Sequence, residues 1–232
     1  TYITSYNANM ISNEVFIDSA TLRENVVALA RNIGYVPRSK KASTATINFS
    51  VEPGITPPPT TITLKKGPVV STNSFGGQNF VFGLTKDVTK PVIDGIAYFY
   101  DVDVKEGTVV DQKFPYSTNN INQRFILSNA GIDLSTLEVY VRPSATSSLL
   151  SSYTRQDSLF DAVTGSSITK DSLIYYIQEI EDEQYELIFG DGIFGKELSD
   201  GNIVEVSYIL TNGSEANGIS NLSFAGKCTY TR

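Results

Sequence analysis

The sequence predicts a mostly β, α+β fold: an antiparallel β-domain beside a smaller helix-and-strand domain. Three observations carry this. A single segment, "DSATLRENVVALARNIGYVP", shows helical periodicity. Nearly every other apolar run is short or alternating and is bounded by turn residues. From Ile96 onward such runs follow one another closely, as in a sandwich or barrel-like sheet. The 232 residues suit one or two domains, and 41% hydrophobic against 19% charged residues supplies a core rather than a disordered chain.

Taken in order, the helix comes first. Leu22, Val26, Leu29 and Ile33 fall on one face of a 3.6-residue period. Asp18 or Ser19 can cap the start, Thr21 and Glu24 have capping-box spacing, Gly34 suits the C′ position and Pro37 prevents continuation. Its apolar face covers either the core or a partner chain. "TATINFSV" (44–51) alternates Ala45, Ile47, Phe49 and Val51 against Thr, Asn and Ser, a half-buried strand. "EPGITPPPT" (52–60) lacks the N–H donors a central strand needs. "TITL" (61–64) and "NFVF" (79–82) read as short strands on either side of a Gly/Ser/Asn-rich loop. "IAYFYDVDV", "EGTVVDQKFPY", "QRFILS", "LEVYVRP", "LIYYIQEI", "YELIF" and "NIVEVSYIL" continue the β pattern, interrupted by a Ser/Thr-rich connection in which "DSLFDAV" (157–163) suggests a short helical turn. The expected division is an entry domain over 1–94, a β-rich domain over 95–211, and a strand in 212–232 that returns toward the first. The chain starts at Thr1 and ends on the strand-like "KCTYTR", so a piece of a longer protein is expected.

Composition narrows the function. The net charge is −7 and the one dense basic run is "RSKK" (38–41), so no nucleic-acid partner is expected. No apolar run approaches the roughly 20 residues that span a bilayer, so no membrane partner is expected. There is no histidine, which removes Ser-His-Asp and Cys-His catalysis and every histidine metal site. Cys228 is alone, which forbids an intrachain disulfide and fits synthesis in a reducing compartment. No cofactor, metal or catalytic residue is expected.

The strongest motif is "YELIFGDGIFGKELSDGNIVEVSY", with Gly190, Gly192 and Gly195 in a literal G-x-G-x-x-G. A dinucleotide fingerprint needs a helix next, and only four residues separate Gly195 from the Asp200-Gly201 turn. A kinase loop needs a Val where Glu197 stands, and its partner motifs are missing. A tight turn remains: glycines reach positive φ, Asp191 bonds backbone N–H groups, and Phe194 folds back as an apolar plug. "DVDVKEG" (101–107) carries Asp101 and Asp103 at calcium-loop spacing, but Lys105 repels a cation. Alternating Asp there reads as a solvent face. "EIEDEQYE" (179–186) reads as an exposed hairpin tip, without the fixed geometry that paired catalytic carboxylates need. Tyr98, Tyr100, Tyr175 and Tyr176 lie in strand runs, where packing is favoured over a sugar-stacking platform.

The run "YELIFGDGIFGKELSDGNIVEVSYILTNGSEANG" resembles the baseplate J-like proteins of contractile phage tails. "LARNIGYVPRSKKASTATINF" is similar to that family's helix-to-strand entry, and "YTRQDSLFDAV" to the segment before its acidic hairpin. "KEGTVVDQKF" and "NQRFILSN" resemble the wedge members of T-even-type phages. Asn217-Gly218 departs from the Gly-Asn of many relatives. The resemblance implies a structural part: a wedge component, located in the virion and assembled in the host cytoplasm, that pairs with itself in a ring around the tail tube. It also implies contact with other wedge proteins and the sheath-initiating component, coupling host attachment to sheath contraction. The alternative is a receptor- or carbohydrate-binding tail or adhesin module.

Overall fold

Strands dominate the computed structural model, which describes residues 16, 19–21, 26, 29, 39–72, 76–156, 167–180 and 183–231. In chain order they are β1 (Thr44–Val51), β2 (Thr61–Leu64), β3 (Gly67–Ser71), β4 (Val81–Leu84), β5 (Val88–Ile93), β6 (Ile96–Glu106), β7 (Thr108–Pro115), β8 (Phe125–Leu127), β9 (Ile132–Arg142), β10 (Ser151–Arg155), β11 (Ile174–Glu179), β12 (Tyr185–Phe189), β13 (Ile203–Leu210), β14 (Ser223–Phe224) and β15 (Cys228–Thr231). The chain divides into a larger unit (Ser39–Ile121, Asn129–Tyr153, Ser199–Arg232) and a smaller one (Thr1–Arg38, Asn122–Ser128, Thr154–Leu198).

In the larger unit β6 is the axis of an eight-stranded sheet. β1 runs antiparallel along one side of it. On its other side β6 pairs β5 near its start and β4 near its end. β5 leads on to β2 and β15, and β4 to β3 and β14. The inward row of β6, with Ala97, Phe99, Val102 and Val104 at 5% exposure or less, forms the floor of the core. Ala45, Ile47, Phe49 and Val51 of β1 pack against it, and the rings of Phe49 and Phe99 stack at 4.9 Å. Fully burying a side chain such as Phe99, Val102 or Val104 contributes about 1.5–3 kcal/mol. A second ladder in this unit sets β13 between β7 and β9, and Ser151–Tyr153 of β10 extends it beyond β9.

Phe99 and Val102 are three residues apart, so an unbroken strand would put them on opposite faces. A β-bulge reconciles them. Register slips between Ile47 and Phe49, so that Tyr100 and Asp101 together oppose Asn48. Asp101 adopts φ 52° and donates its N–H to Asn48 Oδ1 at 2.6 Å. The aspartates of "DVDV" do face solvent as the sequence suggests, but Asp101 does so as the bulged residue, while Asp103 accepts the Thr46 hydroxyl at 2.6 Å.

In the smaller unit β11 and β12 form a hairpin, β8 pairs the far side of β12, and Thr154–Arg155 runs parallel to Ile174–Tyr175. Arg124 holds Glu186 through two hydrogen bonds, at 2.8 and 2.6 Å. The acidic hairpin is not an all-exposed tip: Glu179 is buried, because the β11 pleat turns its side chain inward beside Tyr185.

Among the described residues the expected smaller helix-and-strand domain is not seen. β1 to β5 share one sheet with β6, and their apolar side chains join Ala97, Phe99, Val102 and Val104 of β6 in one core cluster. Of the predicted helix, Val26 and Leu29 are described, helical and half-buried; Leu22 and Ile33 lie outside the described residues, as does the predicted turn at 157–163. A 3-10 turn forms at Gly213–Ala216, and Glu183, before β12, is also in 3-10 conformation.

Candidate interaction site

The Gly190–Gly195 loop follows β12 in the smaller unit. The Asp191 carboxylate accepts the N–H groups of Ile193 and Phe194 at 2.9 and 2.8 Å. Those bonds, Phe194's first, hold its carboxyl below the usual aspartate range. Gly192 N–H bonds Gly195 O, Gly195 N–H bonds Thr169 O and Lys196 N–H bonds Ser172 O, at 2.8–3.1 Å. These amides are the ones a phosphate would need, and protein acceptors already take them. The loop's anion is its own Asp191.

Two glycines are required by close approach. A Cβ on Gly190 would lie 2.2 Å from the Gly195 carbonyl carbon, and one on Gly195 would lie 2.7 Å from Ile174 Cγ1. Gly192 adopts φ 81°. With the crossing closed by backbone, the residues at the tip point out. Phe194 is 47% exposed and Ile193 68% exposed, so Phe194 does not fold back as a plug. The turn leaves no room beneath it, because Gly190 and Gly195 are already in contact.

The larger unit has its own exposed aromatic pair. Tyr98 and Tyr100 lie on the outward face of β6 and stack on each other, with centroids 5.8 Å apart and planes within 7°. Tyr175 of the smaller unit is buried and Tyr176 half-buried. Sequence reasoning assigned all four to packing. The signal that separates them was present: Tyr98 and Tyr100 alternate with Ala97 and Phe99, so one set must face out.

A buried polar junction in the larger unit was missed as well. Glu106, 1% exposed, accepts the Thr211 hydroxyl at 2.5 Å and both the N–H and the side-chain amide of Asn212 at 3.1 Å. Asp133, equally buried, accepts the Ala42 and Ser135 N–H groups at 2.9 Å. The Ser43 hydroxyl donates within reach of Gly213 O at 2.9 Å and Asn217 Oδ1 at 2.7 Å. Thus "KKAS" and "TNGSEANG", far apart in sequence, meet here. Nearby, Tyr208 donates to Asn129 Oδ1 at 2.6 Å, and burial pushes its phenol up to about 12.

On the outer side of the second ladder, Glu205 of β13 bridges Arg142 of β9 at 2.9 Å and Lys113 of β7 at 3.0 Å. These partners, Arg142 first, hold its carboxyl below the usual glutamate range. Among the described residues no three His, Cys, Asp or Glu side chains gather as metal ligands, and no helix is long and apolar enough to cross a membrane. The geometry offers a tight glycine turn, exposed aromatic tips and cross-strand ion pairs.

No family model matches the chain. Against curated proteins it is 27% identical over 248 residues to the baseplate wedge protein gp6 of Enterobacteria phage T4, covering 98% of this chain and 34% of that relative. The chain spans about a third of the length of the curated relative it matches. It therefore resembles, along nearly its whole length, one portion of a phage baseplate wedge protein.

Proposed function

We propose that this chain is a structural component of a contractile-tail baseplate wedge, working in the virion by packing against other chains. The observation that carries the reading is the similarity to a wedge protein over 98% of the chain. The spent amides of the Gly190–Gly195 loop support it, since they leave a shaped turn in place of a nucleotide site. In this reading the protein associates with itself in a ring around the tail tube and touches other wedge proteins and the sheath-initiating component. It thereby passes the signal of host attachment to sheath contraction. Repetition around a ring allows each contact to be weak while the assembly is stable. The exposed Tyr98, Tyr100, Ile193 and Phe194 are the anchors such contacts use. The Leu22, Val26, Leu29 and Ile33 face is a further candidate.

The test is made in the particle. Tyr98→Asp with Tyr100→Asp, and separately Phe194→Asp, leave the isolated protein folded and block baseplate assembly. Normal contractile tails from both folded variants would remove these surfaces from the wedge interfaces. One observation favours a second reading, a carbohydrate-binding tail module: the exposed parallel tyrosine pair is a surface on which a sugar ring can stack. Glycan binding that disappears in the Tyr98 and Tyr100 variants, with assembly intact, would put that reading first.

A further inference from the structure

Among the described residues, β1, β7, β8, β14 and β15 are paired by a strand on one side only. Exposed strand edges invite pairing with other chains, and proteins protect them by shortness, charge or proline. Four of the five are protected. β8 has three residues, β14 two and β15 four. β7 has eight but carries Asp111, Lys113 and Pro115. β1 also has eight residues, "TATINFSV", with no charge and no proline. Its inward side chains Ala45, Ile47, Phe49 and Val51 are only half-buried, since they have a neighbouring strand on one side alone.

We infer that β1 is a docking edge for a second copy of this chain, which adds its own β1 antiparallel about a two-fold axis at Asn48. The inference deepens the self-association in the proposed function and rests on that reading for its place in the particle. Three features select a second copy as the occupant. Directly opposed residues of an antiparallel pair share a face, so the axis at Asn48 sets Ile47 against Phe49 of the second copy and Ala45 against its Val51. Both pairs are apolar and inward. The same register sets Thr46 against the second copy's Ser50 on the outward face, with no like charges opposed. Finally, exposed Lys40 and Lys41 precede the strand and exposed Glu52 follows it. Antiparallel pairing brings the lysines of one copy toward the glutamate of the other at each end, whereas parallel pairing would place like charges together. For molecules of net charge −7, a long uncharged edge with complementary ends is a favourable place to meet.

The experiment is sedimentation of the full protein across concentration, with hydrogen exchange on residues 44–51. The expected result is a monomer–dimer equilibrium in which half of the β1 amides gain protection as concentration rises. Ser50→Lys lies on the exposed face and leaves the fold intact; it weakens the dimer by roughly tenfold or more. Glu52→Lys also weakens it, and adding Lys40→Glu and Lys41→Glu to that variant restores it. A protein that stays monomeric at its highest soluble concentration overturns the inference. So does a dimer indifferent to Ser50→Lys, or β1 protection that does not change with concentration, which would assign the edge to a different strand. Particle assembly separates the two proposals. A β1 dimer that Ser50→Lys disrupts, with baseplates normal in that variant and in the tyrosine and Phe194 variants alike, keeps the dimer and removes the wedge reading. Assembly that fails in the tyrosine variants, with no β1 dimer, does the reverse.

Discussion

Asp191 and Glu106 are both carboxylates surrounded by donors, but they do different work. Asp191 stands in solvent and takes N–H groups two and three residues ahead of it. Glu106 is buried and takes donors from Thr211 and Asn212, more than a hundred positions away. The first fixes the shape of one turn and leaves the rest of the fold indifferent to it. The second ties the end of β6 to the end of β13, so its loss is felt by both ladders of the larger unit. The number of donors matters less than the sequence distance they span and the water they exclude.

The contrast is sharpened by removing each group in turn. The largest effect is expected for Glu106→Ala. It strands the buried Thr211 hydroxyl and leaves a cavity, costing about 2–4 kcal/mol in urea unfolding. A loss under about 0.5 kcal/mol would mean that water replaces the carboxylate. Gly190→Ala follows, at about 1–3 kcal/mol, since its Cβ would meet backbone rather than a side chain that can turn away. The disturbance is confined to amide shifts in the smaller unit. Glu205→Gln comes third. The folded Glu205 pKa is lowered, so its stabilisation is present above the ordinary glutamate pKa and is lost as pH falls through the folded value. The variant is less stable than the wild type near neutrality by about 1 kcal/mol or less, after solvent screening. The two curves merge in acid; a gap that persisted there would sink the electrostatic account. The smallest effect is that of Asp191→Ala. Global unfolding is unmoved, while the Ile193 and Phe194 amides exchange faster. In the wild type the same opening appears as pH drops below the usual aspartate range, because the carboxyl pKa is lowered in the folded loop.

What the sequence made legible follows the same division. The alternation of β1, and of β13 as far as Tyr208, could be read directly, since a strand's two faces are encoded in neighbouring residues; beyond Tyr208 a register shift buries Ile209 as well. Asp191 and its glycines lie within six positions, so their spacing carried the shape of the loop. Where a contact spans the chain, local patterns are silent. Nothing near Glu106 or Asp133 marks them as buried, and isolated acidic residues in strands usually face water. The bulge at Asp101 was hidden for a related reason: "FYDVDV" fits two alternation phases, and the choice between them is made by Asn48 on another strand. Tyr98 and Tyr100 were not set apart from the buried Tyr175 because aromatic strand residues suit a core and an interface equally. The smaller helix-and-strand domain was expected because the helix and the first strands are adjacent in sequence; pairing with β6 overrode that adjacency.

The pairing of β2 with β15 also sets a timetable. Leu64 lies opposite Cys228, so one side of β2 has no partner until the distant strand has been synthesised. At about 5–20 residues per second, that wait lasts on the order of ten to thirty seconds. β3 waits in the same way for Phe224, which lies opposite Val70. Throughout that interval the nascent chain carries open edges at β2 and β3 as well as at β1. Many ribosomes translating one message would then hold such chains close together. The protein's exposure to misassembly is therefore greatest before its release, and a slow passage of the ribosome through residues 65–227 would lengthen it without altering a single contact of the finished fold.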